Sequence, residues 1–361
     1  MVSVRSVAAV TCALLAVAAT QQQASATAAA GNWTATASMS TPRAHVTATP
    51  LGNGRILVVG GVDERSAELY DPPSRTWIPG GTLNESHWGH VAVRLADGRV
   101  LVAGGGRYSA DAELYDPATN SWTPTGRMNV GRISMTGTLL RDGRVLVVGG
   151  LSADGTGVQA SAELYDPATG RWTSTGSLRT PRRGHTATLL ADGTVLVAGG
   201  SNSSGWLGSA ELYNPGRGRW TRAASMTGAR ENASATLLAG GRVLVAGGGS
   251  PSATLSAELY DPASGRWTRT GSMTDYHGSA AVLLQDGRVL VAGGGDAGDV
   301  YSPATGTWTA TSPMVNPSVG GSAVALLPNG QALSVGGERI SSCSPKGCST
   351  EPSATAELYT P

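Results

Sequence analysis

The chain has 361 residues, of which 40% are hydrophobic and 14% are charged, so a packed core is feasible. Its 26 basic and 25 acidic side chains give a net charge of +1, which excludes the strongly positive field typical of proteins that bind nucleic acid or anionic membranes. Glycine contributes 51 residues and proline 19, together less than the roughly 25–30% typical of disordered chains. A glycine-rich, tryptophan-bearing and weakly charged composition points instead to internal repeats.

Residues 1–30 have the pattern of a secretory signal peptide. Arg5 supplies a short positive segment, residues 7–19 are apolar, and small residues at 24–30 offer an A-x-A cleavage site. The apolar segment is shorter than the about 20 residues of a membrane-spanning helix. We therefore expect a secreted protein with no membrane span, whose mature part is residues 31–361.

The mature part contains two cysteines, Cys343 and Cys348, with four residues between them. Export into an oxidising compartment favours a local disulfide over two free thiols. A metal site is a weaker alternative, because no histidine is nearby in the sequence.

Seven copies of one unit follow each other, each marked by a Gly-Gly doublet, a tyrosine and a tryptophan. The doublets end at Gly61, Gly105, Gly150, Gly200, Gly248, Gly294 and Gly337. The tyrosines are Tyr70, Tyr115, Tyr165, Tyr213, Tyr260, Tyr301 and Tyr359, and the tryptophans are Trp33, Trp77, Trp122, Trp172, Trp220, Trp267 and Trp308. Doublets and tryptophans recur every 41 to 50 residues, which is the spacing of propeller blades.

The fourth unit shows how one copy is expected to fold. Its four predicted strands are residues 185–190, 194–198, 210–213 and 219–221. Asp192-Gly193 predicts a two-residue type I′ hairpin turn between the first two. Seven such units predict an all-β fold, a single seven-bladed β-propeller over residues 31–361.

The two ends of the repeat array complement each other. The seventh unit stops at Tyr359 without a tryptophan strand, whereas Trp33 stands ahead of the first complete unit. We therefore expect the N-terminal strand to close the last blade, which removes an open sheet edge.

The doublets and the spaced tyrosines and tryptophans resemble the kelch repeat, over essentially all of the mature chain. Residues that recur in each blade are expected to be architectural, because a ligand site is not needed seven times. This applies to the repeat aromatics and to a glutamate before Leu-Tyr, found at Glu68, Glu113, Glu163, Glu211, Glu258 and Glu357.

Four aromatic residues fall outside the repeat, namely Trp88, Tyr108, Trp206 and Tyr276. All four lie in the connections between strands 2 and 3 or between blades, which share one face of a propeller and vary in length. Together with His90 and His185 at first-strand entries, they predict a ligand patch for a glycan or an extracellular protein. The favoured hypothesis is a secreted, monomeric, non-catalytic binding propeller without a cofactor and without a nucleic-acid partner.

An alternative comes from Tyr276-His277 and the Leu-Leu-Gln-Asp-Gly-Arg-Val segment that follows. These residues are similar to the kelch domain of the galactose oxidase and glyoxal oxidase family, in which a Tyr-His pair ligates copper. The resemblance implies a copper-dependent oxidase, with Tyr276 as axial and His277 as equatorial ligand.

This chain departs from that family pattern in three ways. The Tyr-His pair stands one residue further from the Asp-Gly turn, and a one-residue slip reverses the direction of a strand side chain. The first-strand entries carry His45, His90, Ser134 and His185 rather than tyrosine. Neither mature cysteine falls in an early blade, where the family's cross-linked cysteine stands. A carbohydrate epimerase or lyase is a third possibility, although no acid/base pair identifies itself.

Overall fold

The computed structural model describes residues 30–61, 64–152, 157–249, 255–276, 280–344 and 347–361. Within these ranges the regular elements are all β-strands, and no helix is present that could cross a membrane. The proposed signal peptide falls almost entirely outside the described residues and stays a prediction.

Seven antiparallel sheets form the blades of a propeller, and the predicted seven-bladed fold is confirmed. Blade 1 contains Thr47–Pro50, Ile56–Val59, Ser66–Asp71 and Thr76–Thr82. Blade 2 contains Val91–Arg94, Val100–Ala103, Ala112–Asp116 and Ser121–Pro124. Blade 3 contains Thr136–Leu139, Val145–Val148, Ala162–Asp166 and Arg171–Thr175. Blade 4 contains Thr186–Leu189, Val195–Ala198, Ala210–Asn214 and Arg219–Ala223.

The remaining blades follow the same order, with one insertion. Blade 5 contains Ser234–Leu237, Val243–Ala246, Ala257–Asp261 and Arg266–Arg269. Blade 6 contains Ala280–Leu283, Val289–Ala292, Ala297–Ser302 and Thr307–Pro313. Blade 7 contains Gly320–Leu326, Ala332–Ser344, Ala356–Thr360 and, from the N-terminus, Asn32–Ala35. The inserted strand Gly347–Pro352 pairs with the long second strand of blade 7.

Two short strand pairs lie outside the main sheets of the described residues. Arg132–Ile133 pairs with Leu151–Ser152, and Ser201–Asn202 pairs with Gly205–Trp206. The first strands of successive blades lie side by side around a closed ring.

Hydrophobic contact between blades explains the sequence of the second strands. In blades 1 to 6 all four residues of this strand are buried, because each sheet is covered on both faces by its neighbours. Leu146 and Val148 of blade 3, for example, share one core cluster with Val195 and Val197 of blade 4. These runs of Val and Leu are therefore continuous rather than alternating.

The repeat aromatics join neighbouring blades, which confirms that they are architectural. Tyr213 and Trp220 pack with ring centroids 4.9 Å apart in blade 4. Trp220 Nε1 donates a hydrogen bond to the Gly176 carbonyl oxygen at 2.6 Å, and the Tyr213 hydroxyl lies 2.7 Å from Thr175 Oγ1. Both partners belong to the preceding unit, so the aromatic pair anchors its blade to the preceding blade.

The N-terminal strand closes the ring. Trp33 is paired with Tyr359 across the two antiparallel strands, and their rings lie 5.2 Å apart. Trp33 Nε1 donates to Thr311 Oγ1 of blade 6 at 2.9 Å. The closure of blade 7 by the first strand is therefore confirmed.

The predicted type I′ turn is wrong. The Gly193 amide donates to the Leu190 carbonyl, and the Leu190 amide donates to the Thr194 carbonyl, which leaves three residues in the loop. Only the glycine has a positive φ, of 85°, whereas Asp192 does not. This is a type I turn followed by a left-handed glycine, the usual three-residue hairpin.

In four of the blades, a buried arginine anchors the loop that leads into the first strand. Arg182 is fully buried and donates hydrogen bonds to the Gly199 carbonyl at 2.7 Å and to Glu211 Oε1 at 3.2 Å. Its own carbonyl accepts from the Gly150 amide of blade 3. Because one residue holds its own doublet and the doublet of the preceding blade, we call this arrangement the arginine clamp. It recurs at Arg43, Arg132 and Arg230.

The doublet glycines are needed because the clamp brings two backbones together. A Cβ placed on Gly149 would stand 2.4 Å from the Arg182 carbonyl oxygen, and one on Gly199 would stand 2.6 Å from that of Arg230. The repeated glutamates accept from the clamp arginine and from loop amides, which confirms their architectural role.

We expect Trp33→Ala to destabilise the protein by about 3–5 kcal/mol, because it removes a buried aromatic from the closing strand. The measurement is the denaturant midpoint of unfolding. Trp206→Ala is the control and should change stability by at most about 0.5 kcal/mol, since that side chain is exposed. Equal midpoints for the two variants would contradict closure by this strand.

Replacing Arg182 by Met leaves the Glu211 carboxylate buried without its cation. The expected cost is about 3–5 kcal/mol in the free energy of unfolding. Arg222→Met, an exposed arginine in the same blade, is the matched control. If both variants unfold at the same denaturant concentration, the clamp does not stabilise the ring.

Candidate functional site

The connections between strands 2 and 3 and between successive blades emerge on one face, which we call the variable-loop face. Six large hydrophobic side chains are exposed in the described parts of the chain, and all of them lie on this face. They are Trp206, Leu255, Tyr276, Val315, Val319 and Ile340. The opposite face carries the short hairpins and turns, and none of these six exposed side chains lies there.

The four aromatics outside the repeat occupy this face but not one pocket. Trp88 and Tyr108 are half-buried and both belong to blade 2. Trp206 is 49% exposed in the short hairpin of blade 4, and Tyr276 is 37% exposed at the entry to blade 6. The predicted patch is therefore spread over three blades.

His90 and His185 do not lie on the exposed surface. They are only 7% and 6% exposed, and each ring bridges to the first strand of the preceding blade. Nε2 of His90 lies 2.9 Å from Thr47 Oγ1, and Nε2 of His185 lies 2.9 Å from Thr136 Oγ1. This corrects their assignment to the ligand patch, because at these two entries a threonine of the preceding blade holds the ring in the contact between blades.

The buried rings also leave little room for a metal. A Cβ built on Gly60 would stand 2.6 Å from Cε1 and 3.2 Å from Nδ1 of His90, and Gly149 approaches His185 in the same way. Burial, with a smaller contribution from neighbouring His87 or Arg182, lowers the pKa of His90 and of His185 to about 3. Both rings are therefore neutral at physiological pH.

Tyr276 stands at the clamp position of blade 6, seventeen residues before Gly293. Its side chain is exposed instead of buried. The glutamate of the clamp is replaced by Asp299, which is fully buried and accepts from the amide and hydroxyl of Thr274 at 2.8 Å. His277 lies outside the described residues.

The remaining candidate groups occupy separate places. His45 is at a first-strand entry with φ of 56°, and its Nε2 lies 3.2 Å from Glu338 Oε1 in an exposed pair. Cys343 and Cys348 are disulfide-bonded at the tip of the blade 7 hairpin. Among the described residues no three His, Cys, Asp or Glu side chains gather into a metal-holding group.

A polar cleft of about 500 Å³ lies on the variable-loop face beside blade 2. It is lined by Glu85, Ser86, Arg107, Tyr108, Ser109 and Arg127. Tyr108 is thus the one predicted aromatic that borders this cleft.

Comparisons with known proteins agree with the repeat structure. Residues 88–129 and 182–227 match the Kelch motif. The chain is a seven-bladed β-propeller that contains Kelch motifs. A galactose oxidase of Gibberella zeae is 41% identical over 54 residues, which are 15% of this chain and 8% of that protein, and a second galactose oxidase from the same organism matches equally.

A solved structure extends the likeness to the whole ring. A fungal alcohol oxidase of the AA5 family, in complex with copper, aligns with a TM-score of 0.73 over 92% of this chain and 76% of its own. Its sequence is 21% identical, so this likeness concerns the fold. This kelch propeller therefore resembles galactose oxidase in architecture, while the matched sequence spans a small fraction of the galactose oxidases.

The clamp arginines were not among the residues singled out from the sequence. Their signal is a fixed spacing, because Arg43, Arg132, Arg182 and Arg230 each stand seventeen residues before the first glycine of a doublet. His87 takes the same place in blade 2, with Nδ1 2.6 Å from the Gly104 carbonyl oxygen. The chain has many arginines and they are not clustered, so this fixed spacing is not obvious in the sequence.

The neutral histidines predict an acid-sensitive kelch propeller. In the unfolded chain His185 gains a proton below about pH 6.5, whereas the folded protein resists protonation until about pH 3. The free energy of unfolding should therefore fall as pH decreases through this window, by about 1.4 kcal/mol per pH unit for each buried histidine.

His185→Gln should show a shallower loss of stability between pH 6.5 and 4, measured by denaturant unfolding. At pH 8 both proteins carry an uncharged side chain here, so that comparison isolates the packing difference. An unchanged acid slope in the variant would show that His185 is not the group responsible.

Proposed function

We propose that this chain is a secreted, non-catalytic binding propeller whose variable-loop face takes a carbohydrate ligand. The observation that carries the proposal is the one-sided distribution of exposed aromatic side chains, with Trp206 and Tyr276 at its most open positions. His90 and His185, which were predicted from the sequence to belong to the ligand patch, are buried between blades, each with Nε2 hydrogen-bonded to a threonine of the preceding blade. They are not free to act on a substrate.

The setting of Trp206 suits a sugar ring. The indole stands on a two-residue strand that pairs with Ser201–Asn202, and the Asn202 amide donates to the Pro181 carbonyl oxygen at 3.1 Å. Ser204 N donates to Asn202 Oδ1 at 2.9 Å, which holds the turn. A rigid aromatic face among polar groups loses little entropy on binding and matches the apolar face of a pyranose.

A copper-dependent oxidase is the second candidate function, and the galactose oxidase matches and the AA5 alcohol oxidase fold favour it. The residues described here fit a copper site poorly. Tyr276 is exposed at a clamp position, and His90 and His185 pack against glycine backbones. His277, the other ligand that the family resemblance implies, lies outside the described residues.

Metal analysis separates the two candidates. Mature protein, purified after expression with supplemented copper, should contain far less than one copper per chain. It should release no hydrogen peroxide from galactose or simple alcohols. One copper per chain together with peroxide release would overturn the binding proposal in favour of an oxidase.

Carbohydrate binding is tested by affinity gel electrophoresis in xylan, arabinogalactan, β-glucan and polygalacturonate. We expect retardation by at least one polysaccharide, and an about tenfold or greater loss of affinity in Trp206→Ala or Tyr276→Ala, because truncation of an aromatic anchor removes a large share of binding energy. Arg217→Ala, exposed on the opposite face of blade 4, is the control. Wild-type retardation of both aromatic variants would show that this face is not the binding surface.

A further inference from the structure

The cleft beside blade 2 has the size of a small-molecule site. Its volume of about 500 Å³ is within the roughly 300–1,000 Å³ range of ligand pockets. Its lining combines two arginines, a carboxylate, two serines and one aromatic ring with Ala110 and Gly131, which sets charged groups beside a single stacking surface.

The loop that carries Arg107 and Tyr108 is held on both sides. The Gly106 amide donates to the Trp88 carbonyl at 3.0 Å, and the Ser109 amide donates to the Gly105 carbonyl at 2.7 Å. Tyr108 has φ of 60°, a left-handed conformation that bulky residues adopt only when their surroundings impose it. The cleft is therefore shaped before any ligand arrives.

Gly131, from the loop that leads into blade 3, lets the Tyr108 loop come close to that blade. A Cβ on Gly131 would stand 2.1 Å from the Tyr108 carbonyl oxygen, so this position accepts no larger side chain without moving Tyr108. The blade 1 and blade 4 residues that precede the clamp arginine are Pro42 and Pro181. Gly131 is thus a local feature of this cleft rather than a requirement of the repeat.

The corresponding loop of blade 4 shows why blade 2 is open. Three residues separate Gly105 from Ser109, whereas six separate Gly200 from Leu207, although Ser109 and Leu207 make equivalent backbone hydrogen bonds. In blade 4 the extra residues form the hairpin that carries Trp206. In blade 2 the short turn places Arg107 and Tyr108 at the edge of the cleft instead.

Some charged groups of the cleft form ion pairs within the described residues, and others do not. Arg127 pairs with Asp111 at 3.0 Å, and the Ser109 hydroxyl donates to the same carboxylate. Arg107 is exposed and makes no ion pair within the described chain. Glu85 likewise has a carboxylate without a cationic partner among the described residues.

We propose that this cleft binds an acidic saccharide of the uronic acid class. The inference rests on the proposed carbohydrate-binding function and names a ligand class for one site on the same face. The planar guanidinium of Arg107 receives the sugar carboxylate, for which a two-point hydrogen-bonded pair is the favoured geometry. The ring of Tyr108 packs on the sugar, and Glu85 and Ser86 take its hydroxyl groups.

Isothermal titration with a galacturonic acid trimer and the matching neutral galactose trimer tests this assignment. The wild-type protein should bind the acidic trimer about tenfold or more tightly than the neutral one, as a charge-assisted hydrogen bond requires. Arg107→Gln should abolish this preference, Arg107→Lys should keep part of it, and Tyr108→Ala should weaken both trimers. Arg94→Gln, at the opposite face of blade 2, should bind as wild type does.

The outcomes distinguish this site from the wider proposal. Equal affinity for the two trimers, or an acid preference that survives Arg107→Gln, overturns the carboxylate assignment. If neither trimer binds while Trp206→Ala still weakens binding to another polysaccharide, the cleft assignment fails and the carbohydrate-binding function stands. If no carbohydrate binds at all, both fail.

Discussion

In blades 1, 3, 4 and 5, one buried arginine links its own blade to the preceding blade. The clamp arginine reaches the doublet of its own blade through its side chain and, through its carbonyl, accepts from the doublet of the preceding blade. The close approach of the two backbones requires glycine, and the buried charge requires glutamate. The doublet, the arginine and the glutamate are therefore parts of a single interaction, and the position of each entry loop depends on it.

Two departures from the clamp coincide with features that we assign to binding, whereas Trp206 stands in blade 4, where the clamp is complete. In blade 2, His87 replaces the arginine, and the adjoining connection is short and borders the polar cleft. In blade 6, Tyr276 replaces it and turns outwards, with Asp299 retained as a shorter acceptor. His87 still contacts the Gly104 carbonyl and Glu113, so the blade 2 loop stays anchored, whereas the Tyr276 side chain of blade 6 is exposed to solvent.

The fold could be predicted from the sequence because every blade repeats the same constraint. The doublets, aromatic spacing and orphan Trp33 strand led to seven blades and to closure by the N-terminus. Side-chain direction at the strand entries could not be predicted, because His90 and His185 turn inwards only once the preceding blade supplies Thr47 and Thr136. The turn type also depended on where strand pairing ends, which the Asp-Gly pair alone does not determine.

The likeness to copper oxidases follows from the part of the sequence that builds the ring. Doublets, repeat tryptophans and second strands supply the inter-blade contacts, and a TM-score of 0.73 at 21% identity is consistent with a shared solution to that packing problem. Chemistry depends on other positions, chiefly the strand entries and variable loops. Here two of those entries are histidines enclosed between blades, whose loss of solvent keeps them neutral. In this ring, side chains at these two strand entries therefore contribute to the packing between blades.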